Sequence, residues 1–446
     1  MGKLVFINLS IDQLWDPTDL MKRLFPVRVP SSERLVRSNE NLAIFTAAPE
    51  DVVLGFGNLE VSWKQYLEQF FQVPQTIPIT QNPFDVKAWL AEALAKTNHS
   101  SSVREFKGAG LSLLEDSMLK SLNLPTPFGR FSPSHFIHWN RKTSLLQRAK
   151  DHQIDFPESY LIESPSQLHG QSNSSDFILK SDFGSGGGGN LPSSMLTSRF
   201  LKHLAELEKQ SSAAITASDR TPLEIPTKMW VWQKRYPRQA DFAAFGSITN
   251  QIGTTKLSPM NLAAITYDSR GLSQTHEMVP ANDSHWTTFN EVYCQLAEQL
   301  VEAGYCGDFG FDGFETTTGQ LFPLVDLNVR TTKTHLIAAA ADRLQLQNWR
   351  ALRIRWPSSK SICFDEWIKT IHPNLQLNDR GQSHAGLIMR PFSVSGMTEN
   401  YNDSDLGGPR EVSILCGVPD NSNVTLTQWC NTVENQILEV AHAYSI

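Results

Sequence analysis

Residues Gly304–His335 read GYCGDFGFDGFETTTGQLFPLVDLNVRTTKTH, and this stretch decides the fold that the sequence predicts. Apolar and β-branched residues flank a turn that contains Gly319, which is typical of a β-hairpin. We expect its two strands over residues 309–314 and 321–329. Residues equally distant from Gly319 then face each other across the hairpin.

One face of this hairpin is predicted to carry a polar site. Asp312 and Asp326 are equally distant from Gly319, and the two-residue period of a strand adds Asn328 and Arg330 to the same face. Two carboxylates and a carboxamide oxygen suit a hard cation, and an arginine beside them suits an anion. A half-exposed hairpin with a polar outer face is the alternative from the hairpin alone.

Length, net charge and cysteine pattern limit the class of protein that the sequence can encode. The chain has 446 residues and a net charge of −7, so we expect two or three domains and neither a nucleic-acid nor a membrane partner. The five cysteines are scattered without metal-ligand spacing, which indicates a reducing compartment. The N-terminal apolar run is too short for a signal peptide or a membrane span, so a cytoplasmic location is expected.

The first part of the chain predicts a small α/β layer. Residues 3–9 have the composition of a buried parallel strand, and residues 42–45 and 52–56 suggest two further strands. No GxGxxG follows the first strand, so this layer lacks a dinucleotide-binding fingerprint. Further on, Asn140 is predicted to cap a helix that begins NRK.

A glycine-rich loop follows a short predicted strand, FILK, that ends at Lys180. Glycines let backbone amides approach a phosphate closely, and a lysine at the strand end can reach its oxygens. The sequence is not GxxxxGK[ST], which excludes a P-loop of that type. A flexible linker over residues 184–189 is the alternative. Residues 228–236, KMWVWQKRY, then predict a strand whose end could hold a purine, and residues 241–248 predict the next strand.

The order of these features resembles the ATP-grasp superfamily of carboxylate–amine and carboxylate–thiol ligases. The resemblance covers about residues 130–340, and GYCGDFGFDGF…LVDLNVR is its most specific part. It implies an α/β (α+β) protein with ATP-grasp architecture. A Rossmann-like N-terminal domain comes first in the chain, and the two lobes that clasp ATP follow it. The expected domains are residues 1–128, a small lobe at 129–233, and a large lobe with the C-terminal region at 234–446.

The resemblance also implies which residues bind ATP. Lys142 and Lys180 correspond to two lysines that contact the phosphates. The mobile loop over the phosphates corresponds to Gly184, Ser185, Gly186, Gly187 and Gly188. Gln233, Lys234 and Tyr236 correspond to the residues that hold the adenine.

The metal and catalytic residues are implied in the same way. Mg²⁺ (or Mn²⁺) would be bound by Asp312, Asp326 and Asn328. The implied catalytic set is Arg330, which faces the transferred phosphoryl group, Lys180, and His335 as a base for the incoming amine. The family usually has glutamate at both hairpin carboxylates and often at the adenine strand, where this chain has Asp312, Asp326 and Gln233.

The implied reaction is an ATP- and Mg²⁺-dependent ligation. A carboxylate, expected from an amino acid or small peptide, takes the γ-phosphoryl group of ATP and is then attacked by an amine to give an amide. The partners are thus small molecules, and a homodimer is compatible with the resemblance. Three alternatives stay open: a carboxylate kinase, a non-catalytic nucleotide-binding regulatory or scaffold protein, and a multidomain α/β protein with a glycine linker.

Overall fold

The structure is a computed structural model, and it describes a defined set of residues. These are residues 2–7, 41–55, 61–78, 105–111, 113–163, 165–168, 176–182, 190–193, 196–202, 206, 230–251, 254–268, 273–356, 385–390, 410–418 and 424–443. They form three sheets, with four, four and nine strands. We call them the N-terminal, small and large sheets.

The N-terminal sheet is parallel, with the strand order β3-β2-β1-β4. Its strands are β1 (Lys3–Phe6), β2 (Val52–Gly55), β3 (Gln75–Pro78) and β4 (Glu105–Gly108). Leu4, Val5 and Phe6 are all buried, as expected of a strand covered on both faces. Helices α1 (Val61–Leu67) and α2 (Leu113–Leu122) accompany this sheet.

The strand that we expected over residues 42–45 is wrong. Residues Asn41–Thr46 form a 3₁₀ helix in which Leu42, Ala43, Ile44 and Phe45 are buried. A short apolar run is compatible with any buried element, because it has no periodicity that separates a strand from a helix. The buried run still contributes to the core, but as a helical turn.

Two helices follow the N-terminal sheet, and they correct the expected helix cap. They are α3 (Pro133–Asn140) and α4 (Lys142–Asp151), and Arg141 rather than Asn140 is the N-cap of α4. Asn140 lies in α3, where its side-chain amide donates to Phe136 O at 2.9 Å. Its carbonyl oxygen is used elsewhere, as described for the site below.

The small sheet has the strand order β5-β8-β6-β7. Its strands are β5 (Ser159–Ile162), β6 (Phe177–Ser181), β7 (Asn190–Pro192) and β8 (Trp230–Lys234). One face buries its own apolar cluster, which includes Leu179, Leu191, Trp230 and Trp232. The small sheet therefore has a core that is separate from the cores beneath the large sheet.

The large sheet begins directly after β8, and its main path runs β14-β13-β9-β11-β12-β15-β17-β16, with β10 paired to β9. Its strands are β9 (Arg238–Gln251), β10 (Thr254–Leu257), β11 (Asn261–Tyr267), β12 (Ser273–Met278), β13 (Gly307–Thr316), β14 (Leu321–Asn328), β15 (Asn348–Trp356), β16 (Ala385–Arg390) and β17 (Arg410–Val418). Strand β9 begins at Arg238, earlier than expected. The segment between the small and large sheets is therefore only Arg235–Pro237.

Three helices pack on the large sheet: α5 (Ser284–Glu302), α6 (Lys333–Arg343) and α7 (Leu426–Ala443). Arg343, the last residue of α6, donates from Nε to Phe45 O at 2.8 Å and so joins this part of the chain to the N-terminal layer. None of the helices in the described ranges is long and apolar enough to cross a membrane. The domain boundaries after residues 128 and 233 stay predictions.

Candidate active site

The hairpin of β13 and β14 brings the two expected carboxylates together. Asp312 is the direct antiparallel partner of Asp326, and Gly310 is the partner of Asn328. Directly opposed side chains point to the same face, with Cβ atoms roughly 5 Å apart. The pairing becomes irregular only beyond Asp312, before Phe314. The expected alignment about Gly319 is thus confirmed as far as the two aspartates.

The surroundings of Asp312 disfavour the charged form of its carboxyl group. Burial raises the pKa of Asp312 to about 7, and the neighbouring charge of Asp326 raises it further, while Lys142 and Arg330 act in the opposite direction. Two close carboxylates disfavour each other's ionisation, especially away from water. A further cation beside Asp312 would therefore favour its charged form at neutral pH.

Lys142 reaches this pair from the first position of α4. Its ammonium lies 2.9 Å from Asp326 Oδ1, and the lysine side chain is 9% exposed. Helix α4 holds it there because Leu145 and Ala149, on the same helix, pack into the apolar core beneath the large sheet. The structure thus places one of the two expected phosphate-binding lysines beside an expected metal ligand.

Asp182 anchors the start of α4, and sequence reasoning missed it. This fully buried carboxylate accepts from Arg141 Nε at 2.6 Å, and from the Thr143 amide at 3.1 Å and hydroxyl at 2.9 Å. The Lys142 amide donates to the Asp182 carbonyl oxygen at 3.1 Å. Asp182 follows β6, so it ties the strand that leads into the glycine loop to the helix that carries Lys142.

Lys180 is the second expected phosphate-binding lysine, and it lies in β6 opposite Asn190 of β7. It is buried, and burial lowers its pKa to about 7. The positive charges of Lys142 and Arg238 lower the pKa further, whereas Asp326 and Asp312 oppose the shift. Lys180 therefore shares one electrostatic environment with Lys142 and the hairpin carboxylates. The loop residues Gly184, Ser185, Gly186, Gly187 and Gly188 lie outside the described residues.

Arg330 is buried beside the third expected metal ligand. Its Nη2 donates to Asn328 Oδ1 at 3.0 Å. Between them, the Val329 amide donates to Asn140 Oδ1 at 2.9 Å, which fixes the end of β14 against α3. Asn140 is thus a positioning residue for this strand end. No local sequence signal indicates this, because its partner lies 189 residues away.

The residue after Arg330 joins the site to the N-terminal sheet. The Thr331 amide donates to Ala109 O at 2.8 Å, just beyond β4. The Thr331 hydroxyl donates to Asp308 Oδ2 at 2.7 Å. Through this bond, Asp308 orients the chain directly after Arg330.

His335 caps helix α6. Its Nδ1 accepts from the Thr332 amide at 3.1 Å, and its Nε2 lies 3.2 Å from Gly246 O. Since a carbonyl oxygen only accepts, Nε2 must carry the hydrogen and both ring nitrogens are engaged. Burial also lowers the His335 pKa. These bonds leave no free nitrogen to take a proton from an amine, so the base role stays a prediction that the site geometry does not favour.

The expected adenine residues lie at the end of the small sheet. Gln233 is buried and donates from Nε2 to Ser159 Oγ at 3.0 Å. The Lys234 amide donates to Glu158 O at 2.9 Å. The Tyr236 ring packs 4.9 Å from the Phe322 ring, next to the metal hairpin. The three residues thus line the short connection between the small and large sheets, and their contact with adenine stays a prediction.

The donor set of the hairpin fits magnesium. No group of three or more His, Cys, Asp and Glu side chains suited to a metal occurs in the part of the chain that the structure describes. Asp312, Asp326 and Asn328 offer two carboxylates and one amide oxygen. Mg²⁺ typically keeps several waters and binds one or two carboxylates together with substrate phosphates. The unrelieved repulsion at Asp312 suits such an ion.

Comparison with known proteins identifies the fold. No protein-family model and no curated protein matches the sequence. Among solved structures, the ADP complex of N5-carboxyaminoimidazole ribonucleotide synthetase matches with a TM-score of 0.53 and 11% identity, over 99% of this chain and 97% of that one. N5-carboxyaminoimidazole synthetase from Staphylococcus aureus with ADP matches with a TM-score of 0.50 and 11% identity, over 98% of both chains. The chain thus has the ATP-grasp fold along nearly its whole length.

Proposed function

We propose that this protein is an ATP- and Mg²⁺-dependent ligase that joins a carboxylate to an amine through an acyl phosphate, with release of ADP and phosphate. One observation carries the proposal: two opposed aspartates, an amide oxygen, a buried arginine and two lysines converge from separate elements. Cations that converge beside paired carboxylates suit a magnesium-bound polyphosphate.

The lysines would hold the nucleotide phosphates. Lys142 enters from α4 and Lys180 from the small sheet, so a polyphosphate between them would be contacted from two sides. When bound at Asp312, Asp326 and Asn328, Mg²⁺ would offset the negative charge that otherwise repels an attacking carboxylate. ADP in both structural neighbours supports the nucleotide assignment.

Arg330 would act on the acyl group. In the first step a carboxylate oxygen attacks the γ-phosphorus, and the bond to the ADP oxygen breaks. In the second step an amine attacks the acyl carbon, loses its proton, and phosphate leaves. Negative charge builds on oxygen in both steps, and a buried guanidinium lowers the energy of that charge. Loss of one such donor costs on the order of 10²-fold in rate.

The carboxylate is proposed to be an amino acid or small peptide, as the ATP-grasp resemblance suggests. The name of the structural neighbours describes a carboxylated amine, so bicarbonate is a second candidate for the carboxylate. Both would use the same phosphorylation step. The difference lies in the carbon that the amine attacks.

The test is ADP release by the purified full-length protein with ATP and Mg²⁺. Amino acids, dipeptides and bicarbonate are supplied singly and in pairs, and products are identified by mass spectrometry. We expect ADP release that depends on a carboxylate, together with a new amide or carboxylated-amine mass. A phosphorylated product without coupling would indicate a kinase, and nucleotide binding without turnover would indicate a non-catalytic protein.

Single substitutions test which residues the proposed reaction needs. Asp326→Asn and Lys180→Ala should each abolish turnover in a folded protein. Asp116→Asn is the matched control, because Asp116 pairs with exposed Lys120 on the surface of α2. An active Asp326→Asn, Lys180→Ala double variant would show that the site lies elsewhere.

A further inference from the structure

Two buried cysteines come together between strand β17 and helix α7. Cys416 lies in β17, and Cys430 lies in the second turn of α7. Both belong to the same apolar core, and neither forms a disulfide. We call these two residues the thiol pair. The proposed ligation uses neither of them.

Strand pairing and side-chain contacts place the two cysteines side by side. Cys416 is the direct partner of Arg350 in β15, so the two side chains point to the same face of the large sheet. Arg350 Nη2 donates to Thr427 Oγ1 at 3.1 Å, which brings the first turn of α7 over this position. Cys430 follows Thr427 by three residues, and residues at that spacing are neighbours on a helix. The thiols of Cys416 and Cys430 are hydrogen bonded to each other.

The hydrogen bond gives the two thiols different chemical characters. It raises the pKa of Cys416 well above its usual value and lowers the pKa of Cys430. The charge of Arg350 favours the thiolate at both residues, whereas burial opposes it, and Glu277 and Glu434 also oppose it at Cys430. The thiolate is the nucleophile in disulfide exchange. Cys430 is therefore the thiol suited to attack first.

The surroundings of the thiol pair favour dithiol chemistry over metal binding. Zn²⁺, the usual metal of paired cysteines, takes about four Cys or His ligands in a structural site. Among the residues that the structure describes, no group of three or more His, Cys, Asp and Glu side chains could hold a metal ion. The next residues on the same faces are Ile414 and Val433, and both are fully buried. The two thiols thus have each other as the reactive partner.

We propose that Cys416 and Cys430 form a reversible disulfide by exchange with a low-molecular-weight disulfide such as oxidised glutathione. The Cys430 thiolate attacks one glutathione sulfur, which gives a mixed disulfide and releases one glutathione thiolate. The sulfur of Cys416, after loss of its proton, then attacks Cys430 Sγ, and the second glutathione leaves as a thiolate. The two released thiolates take up the two protons that the cysteines lose. Two protein thiols are oxidised and one small disulfide is reduced. This inference does not depend on the proposed ligase function.

Burial of the thiol pair sets how the reaction proceeds. Cys416 is 0% exposed and Cys430 is 2% exposed, so oxidised glutathione reaches them when α7 lifts locally from β17. Oxidation is therefore slow, and it follows the rate of that opening. The product closes a loop of about 15 residues, which restricts the unfolded chain and keeps α7 attached to the large sheet.

The test is oxidation of the purified protein by oxidised glutathione, followed by alkylation of the remaining thiols, digestion and mass spectrometry. We expect most chains to carry a Cys416–Cys430 crosslink, with a mass lower by two hydrogen atoms, and dithiothreitol should remove it. Absence of this crosslink would overturn the inference.

Cys294 and Cys306 provide an internal reference. Their separation along the chain is similar to that of the thiol pair, and both are partly exposed. In urea, the unfolded chain should form the Cys294–Cys306 and Cys416–Cys430 crosslinks about equally, because loop closure depends mainly on loop length. In the native protein, we expect the Cys416–Cys430 crosslink to exceed the other about tenfold or more. Equal amounts in the native protein would contradict the proposal.

Alanine variants test the order of attack. Cys416→Ala removes the second thiol, so the mixed disulfide with glutathione should accumulate at Cys430. Cys430→Ala should leave Cys416 with about tenfold less glutathione, since its thiolate is disfavoured. Cys294→Ala is the matched control and should retain the crosslink. Equal amounts of glutathione on the remaining thiol of the two single variants would overturn the assigned order.

Discussion

Lys142 and Asp326 are 184 residues apart in the chain, yet their side chains form an ion pair of 2.9 Å. The lysine begins a helix, and the aspartate lies near the end of the metal hairpin. The pair places an expected phosphate ligand directly beside an expected metal ligand. It leaves Asp312 as the carboxylate whose charge is least compensated, which leads to the first prediction.

Magnesium affinity should rise with pH. The pKa of Asp312 is about 7, above its usual value, so the group keeps its proton below pH 7, whereas Mg²⁺ binds the ionised form. With Mg²⁺ titrated in the absence of nucleotide, we expect about tenfold tighter binding at pH 8 than at pH 6. Calorimetric titrations at pH 6, 7 and 8 measure this. Affinity that does not change with pH would contradict the raised pKa.

The same shift predicts a stabilising variant. A raised folded-state pKa contributes stability below the unfolded-state pKa of about 4, and that contribution is lost as pH rises towards 7. At pH 8, Asp312→Asn should therefore raise the free energy of unfolding by roughly 1 to 3 kcal/mol, since it removes a half-buried, repelled charge. Urea denaturation without metal measures the gain. Mg²⁺ binding should be lost at the same time.

Nucleotide binding should take up a proton at Lys180. Its pKa of about 7 leaves the amine mostly neutral at pH 8, and neighbouring phosphates would favour the ammonium form. ADP binding without metal should therefore take up close to one proton at pH 8 and much less at pH 6. Calorimetry in buffers with different ionisation enthalpies counts the protons.

Two variants check the source of that proton. Lys180→Met should abolish the uptake. Lys64→Met should retain it, because Lys64 lies on the surface of α1 beside Glu68. Equal uptake in Lys180→Met and the unmodified protein would assign the proton to another group.

Loss of Asp182 should be among the most costly single changes in the site. Asp182→Ala leaves the buried Arg141 guanidinium without its carboxylate and removes an acceptor from Thr143. Breaking a buried ion pair in this way costs about 3 to 5 kcal/mol. Urea denaturation should show a loss of that size, and ADP affinity should fall because Lys142 and the strand before the glycine loop lose their common anchor. A loss below about 1 kcal/mol would contradict the assigned role.

Gly313 should tolerate no side chain. A Cβ there would lie 2.7 Å from both Phe322 O and Pro323 O, at the point where the hairpin pairing becomes irregular. Gly313→Ala should therefore shift the pairing beside Asp312, lower stability by more than about 2 kcal/mol, and weaken Mg²⁺ binding. Gly319→Ala is the control. Its φ of +82° costs about 1 kcal/mol, but nothing lies within 4 Å of its Cβ.

The hairpin was predictable because its information is local. One glycine turn and the two-residue period of strands align Asp312 with Asp326, and the irregularity begins only after that pair. Lys142 and Lys180 are predicted as phosphate ligands only through the order of motifs, since neither has a local pattern that distinguishes it from a surface lysine. Their burial and their shared environment required the tertiary structure.

The positioning residues could not be predicted, because their partners are distant. Asparagine is a good helix cap, so Asn140 was assigned to α4, whereas its oxygen binds the Val329 amide across 189 residues. Asp182 likewise has distant partners, because Arg141 and Thr143 lie 41 and 39 residues earlier in the chain. Side chains that bridge separate elements leave no periodicity in the sequence.

The small sheet buries its own tryptophan-rich cluster, whereas Asp182, directly after its strand β6, contacts the start of α4 through an ion pair and hydrogen bonds. Such an arrangement has a mechanical consequence. A junction of ions and hydrogen bonds can be rearranged by a charged ligand without exposing apolar surface to water. A charged ligand that exchanges partners at this junction would therefore act on Arg141 and Asp182 and leave the tryptophan-rich cluster of the small sheet buried.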